Sequence, residues 1–172
     1  NALLILFFLV WVYLEIKVGI SKIRIDFSLF VFFLISTTII AGAFVAGMDA
    51  GLMYNEYPMM GGSFIPETYG DYKFLDPFEN PASAQFHHRH LALLTAIFTL
   101  IYAFNIYSKT DDNIIKKIAI FTALIVCSQF LLGIITLINM VPLHLGVLHQ
   151  TGAVILFLSF TISMHRLNLI KN

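Results

Sequence analysis

Four stretches of this chain stay apolar for twenty residues or more, and nothing else in it constrains the fold as strongly. They run at about 27–48, 86–108, 114–139 and 144–166. At about 1.5 Å per helical residue, each is long enough to cross a hydrocarbon core about 30 Å thick. In lipid every backbone N–H and C=O must find its partner inside the protein, which leaves helices or closed barrels. The alternating runs of a barrel strand are absent from the sequence. The predicted fold class is therefore all-α: a polytopic membrane protein built as a four-helix transmembrane bundle. A fifth apolar run, 2–16, is shorter and reads as one truncated transmembrane helix preceding the bundle. Only 12% of residues are charged, against about 25% in soluble domains, so the lipid bilayer is the expected partner. A net charge of zero offers no basic surface to nucleic acid.

The connections differ in charge from one side to the other. Lys17, Lys22, Arg24, Lys109, Lys116, Lys117, Arg166 and Lys171 fall on one side, 8 of the 10 Lys and Arg residues. By the positive-inside rule that side is cytoplasmic or matrix-facing. The opposite side receives a long loop, 49–85, and the short turn 139–143. The division that follows is 1–25, the end of a preceding span with its cytoplasmic loop, and 26–167, the bundle with its outer lid 49–85. The chain opens on Asn1 without a charged leader region, so it is expected to be a piece of a longer protein. The lid carries eight Gly and Pro residues and seven Tyr and Phe residues. A loop this long and aromatic is expected to fold over the bundle, with some rings serving as an interfacial belt.

Ionisable groups at membrane depth are costly and mark sites where something binds them. His88 and His149 fall at matching depth near the outer ends of two different spans, where two imidazoles can share one metal centre, with a haem the candidate. His88 shares its helical face with Ala84, Ala92, Thr95 and Thr99, and His149 with Gly146, Gly152 and Ala153. Small residues of this kind serve close helix packing, but around a histidine they also read as a slot for a flat macrocycle. Arg89 reads either as a partner for haem propionates or as an arginine snorkelling to the interface. His87 and His90 are expected at the interface, because neighbours about 100° apart on a helix cannot converge on one zinc or copper ion. His144 is roughly 140° around the helix from His149 and cannot face the same iron. His165 falls at the cytoplasmic end, too far to join. No span carries the Glu-x-x-His set of a di-iron bundle, nor the broken helices of a transporter. Gln129, Gly133 and Thr136 share a face read as helix packing. The single cysteine, Cys127, excludes an internal disulfide and is expected as a small buried hydrophobe.

Several blocks together resemble the haem A synthase family, in its mitochondrial and alphaproteobacterial style. They are Ala50-Gly51-Leu52-Met53-Tyr54-Asn55, Tyr57-Pro58-Met59-Met60, Gly62 and Phe64-Ile65-Pro66 in the lid. Then come Gln85-Phe86, His88-Arg89, Gln129 with Leu132-Gly133, and Leu148-His149-Gln150-Thr151-Gly152-Ala153. The family consists of two similar four-helix halves, and this chain resembles the second, with 2–16 resembling the last span of the first. The resemblance implies an oxidoreductase that oxidises a ring methyl of haem O to a formyl group, making haem A for cytochrome oxidase. It implies that His88 and His149 are axial ligands of a haem b, with Arg89 beside them, and assigns no catalytic residue here. The substrate haem O would meet the other half, so this chain alone is expected to be inactive. The resemblance further implies proximity to haem O synthase, admits a homo-oligomer, and places the chain in a bacterial cell membrane or mitochondrial inner membrane with the histidine pair near the outer, periplasmic side. The alternative is a bis-histidine b-type cytochrome module that transfers electrons without chemistry of its own.

Overall fold

The computed structural model describes residues 2–170, with side chains through 169; Lys171, counted above among the cations, lies outside them. Helix α1 spans Ala2–Val18, α2 Phe27–Gly47, the single-turn α3 Asp76–Glu79, α4 Pro81–Lys109, α5 Asn113–Ile138 and α6 Leu143–Ile170. Among the described residues α2, α4, α5 and α6 are long and apolar enough to cross a membrane, so the all-α, polytopic expectation holds. The shorter α1 packs along α6.

Local chemistry sets three of the helix starts. Asp26 accepts the backbone N–H of Ser28 at 2.9 Å and Asp112 those of Ile114 and Ile115 at 2.7 and 3.1 Å, satisfying donors that have no partner within the helix. Asn80 does the same for Ala82 and Ser83, with Pro81 at the first helical position. That cap corrects the sequence boundary. The third span begins at Pro81 and not at 86, because Pro81–Gln85 looks like polar loop yet suits a helix's first turn. The lid therefore ends at Asn80.

Between α5 and α6 the chain reverses through Met140 and Val141, both left-handed at φ 60° and 51°. A β-branched residue there is strained, by about 1–3 kcal/mol. The turn is closed by Val141 N–H donating to Thr136 O at 2.9 Å, and its side chain lies on Gly51, where an added Cβ would stand 2.8 Å from Val141 Cγ2.

The lid is folded onto the bundle. Asn55 Nδ2 donates to Gly51 O and to Leu137 O, both at 2.9 Å. Gln85 Nε2 donates to Tyr54 O at 3.0 Å, and Phe78 packs on Phe44 of α2 with ring centroids 5.2 Å apart. Its second part is organised around Asp76, which is buried and accepts from Gly70 N, Tyr72 N, Asn80 Nδ2 and Ser83 Oγ. Burial raises the carboxyl pKa, but those donors outweigh it and hold it at about 2.

The apolar core lies at the end away from the lid, around Trp11, Val31, Ile35, Tyr102, Val126, Phe157, Phe160 and Met164. Cys127 is not in it. It is exposed on α5, contrary to the expectation of burial. A helix that is apolar all round carries no periodic signal separating a core face from a lipid face.

Candidate metal centre

Helices α4 and α6 both begin at the lid end, and His88 and His149 stand near the end of the second turn of each. Their rings meet across the bundle with centroids 6.5 Å apart and planes at 81°. His88 Nδ1 lies 3.1 Å from the backbone oxygen of Thr38 on α2. A carbonyl only accepts, so the contact puts the proton on Nδ1 and leaves the Nε2 lone pair for a metal. Thr38 is held in turn by Thr95 of α4, the two hydroxyls 2.6 Å apart.

Each ring lies over a glycine of the neighbouring helix. A Cβ added to Gly42 of α2 would stand 2.9 Å from His88 Cε1, and one added to Gly133 of α5 would stand 3.0 Å from His149 Cε1. Sequence reasoning placed the small residues on the histidines' own faces, and the structure moves them. Gly146 meets Val141 and Gly152 meets the side chain of Gln129. A side chain leaves its own helix and lies against the next, so the space it needs is taken from the partner. Two glycines at the histidines' depth in otherwise bulky spans were the available signal; Thr38 left none, since its backbone acts.

The donor set suits a haem. Two imidazole nitrogens each about 2 Å from one metal would set the ring centres about 6 Å apart, close to the observed 6.5 Å. Among the described residues no three His, Cys, Asp or Glu side chains cluster to hold an ion by themselves. A pair of axial ligands is what a macrocycle asks of a protein, because it brings its own equatorial nitrogens. No described residue of α2 beyond Ile35, and none of α6 before Leu156, is buried.

The other expected residues take separate places. Arg89 donates from Nη1 to Glu56 O and Met59 O at 2.9 and 3.1 Å, and from Nη2 to Tyr54 O at 2.8 Å. It is a clamp on the lid beside His88. His87 packs on Tyr69 and His90 on Phe86, with ring centroids 5.6 and 4.0 Å apart. His144 is exposed. His165 is fully buried at the far end against Trp11, with ring centroids 4.9 Å apart. Gln129 is buried against Gly152, as packing required.

Residues 1–161 match a family model described as cytochrome oxidase assembly protein. The chain is 38% identical over 170 residues to "Heme A synthase" of Pelagibacter ubique, covering 96% of this chain and 50% of that protein. It is 41% identical over 128 residues to "Heme A synthase" of Maricaulis maris, covering 73% and 37%. With "Heme A synthase" of Wolbachia pipientis wMel it shares 43% over 129 residues, covering 72% and 34%. The chain thus spans about half or less of the length of these relatives. No solved structure matches.

Proposed function

This chain belongs to the haem A synthase family of cytochrome oxidase assembly proteins, and from that membership we propose that it is the haem-b-holding half of such an enzyme. The observation that carries the proposal is the pair of imidazoles, 6.5 Å apart, each lying over a glycine of the adjacent helix. His88 and His149 would hold a haem b, which would supply one-electron transfer. Residues 26–167 form the unit that holds it, and residues 1–25 are its connection to what precedes.

The chain's own side chains bind, orient and shield. Thr38 O fixes the tautomer and aim of His88. Gly42 and Gly133 give the rings their depth. Arg89 holds the lid segment 54–59 across the mouth and keeps a cation at the rim, where haem propionates meet water. In the whole enzyme the substrate is haem O, and the reaction oxidises a ring methyl to a formyl group, with that chemistry in the other half. The cation-poor lid side faces outward, toward the periplasm or the intermembrane space. Family membership favours this reading over a free-standing cytochrome.

Protein purified from membranes should show a low-spin b-type spectrum, and His88→Ala and His149→Ala should each abolish or alter it. An unchanged spectrum in both variants would sink the assignment.

A further inference from the structure

We propose that Gln129 is the positioning residue for His149, its amide oxygen accepting a hydrogen bond from the Nδ1–H of that imidazole, directly or through one water, when the ring holds the haem iron. The inference rests on the reading of His149 as an axial ligand. It starts from two unpartnered polar atoms in one seam. His149 Nδ1 is buried with no hydrogen-bond partner, and so is Gln129 Oε1, on a side chain only 7% exposed. A buried polar atom left so is destabilising.

The seam between α5 and α6 brings the two together. Gly133 of α5 faces the His149 ring, and one turn deeper Gln129 of α5 lies against Gly152 of α6. The helices are antiparallel neighbours, so stepping from 133 to 129 and from 149 to 152 moves the same way along the axis. An imidazole that ligates through Nε2 carries its proton on Nδ1 and needs an acceptor there. The amide oxygen one turn below, about 5 Å along the axis, is an acceptor without a donor. A rotation about the glutamine side chain, or one water, joins them. Gly152 makes this possible, since any Cβ there would collide with the Gln129 amide.

The two ligands are then held differently. His88 is oriented by a backbone oxygen that no substitution removes. His149 is oriented by a side chain, so its hold on iron can be tuned.

The test uses haem-loaded protein and follows three readouts: the low-spin spectrum, the haem midpoint potential and cyanide binding to ferric haem. Gln129→Leu should let cyanide displace His149 about 10–100-fold more readily, the usual effect of losing an outer-shell partner. Gln129→Glu keeps an acceptor and strengthens it, so cyanide resistance should stay within a few-fold of the parent while the midpoint potential falls. Gly152→Ala displaces the amide without removing it and should shift cyanide binding in the same direction as Gln129→Leu; it carries the test if Gln129→Leu does not accumulate. A low-spin parent whose cyanide affinity and potential are unmoved by these changes overturns the role of Gln129 and leaves the bis-histidine reading intact. A parent without low-spin haem overturns both.

Discussion

The two ends of the bundle are packed on different terms. Away from the lid, Phe157, Phe160, Met164, Val31 and Ile35 are fully buried and interlock with Tyr102 and Trp11. Toward the lid, the same helices bury no large apolar side chain on α2 or α6, and two imidazoles stand between them. One end is close-packed in the ordinary way of protein interiors. The other is held at its rim, by Arg89 and Gln85 on the lid carbonyls and Asn55 on α5. The close-packed core and the histidine pair are thus separated along one axis, each in its own half of the same four helices.

That separation can be broken by experiment. Gly133→Leu puts bulk where a bare Cβ already stands 3.0 Å from the His149 ring. Haem content per protein should fall more than tenfold, while the melting temperature of the haem-free protein stays within a few degrees. A large fall in that melting temperature would mean the halves are not independent. Phe160→Ala is the converse. Its ring is fully buried against Tyr102, with centroids 4.6 Å apart, so truncation should cost about 3–5 kcal/mol in denaturant unfolding. The protein that remains folded should keep its low-spin spectrum.

Arg89→Leu removes the donors to three lid carbonyls. Hydrogen exchange across residues 54–60 should accelerate about tenfold or more, given about 1.5–3 kcal/mol for a hydrogen bond to a charged group, with the far end of the bundle unchanged. The smallest effect concerns pH. The Asp76 carboxyl is held at about 2 against an ordinary 3.8, so the fold favours its ionised form. That contribution is present above about pH 4 and is lost as pH falls toward 2. Exchange at residues 68–80 should rise over that window, and Asp76→Asn should flatten the dependence.

Much of the architecture was legible in the residues. Span length and apolarity determined the helices, because lipid permits little else, and the positions of His88 and His149 near the ends of their spans determined a shared depth. The start of the third span was not legible at Asn80, where a polar first turn resembles loop. The faces were not legible. Cys127 and Val126 are adjacent in a helix that is apolar all round, yet one is exposed and the other lies in the core.

By itself, then, the sequence determined a membrane bundle with two imidazoles at one end. Only the tertiary structure decided what surrounds them: Gly42 and Gly133 beneath the rings, Thr38 O on His88, lid carbonyls on Arg89, and Gln129 against Gly152. Each of those contacts joins residues far apart in the chain through shape or through the backbone. Helices of near-uniform hydrophobicity carry no pattern that announces which of their faces will meet.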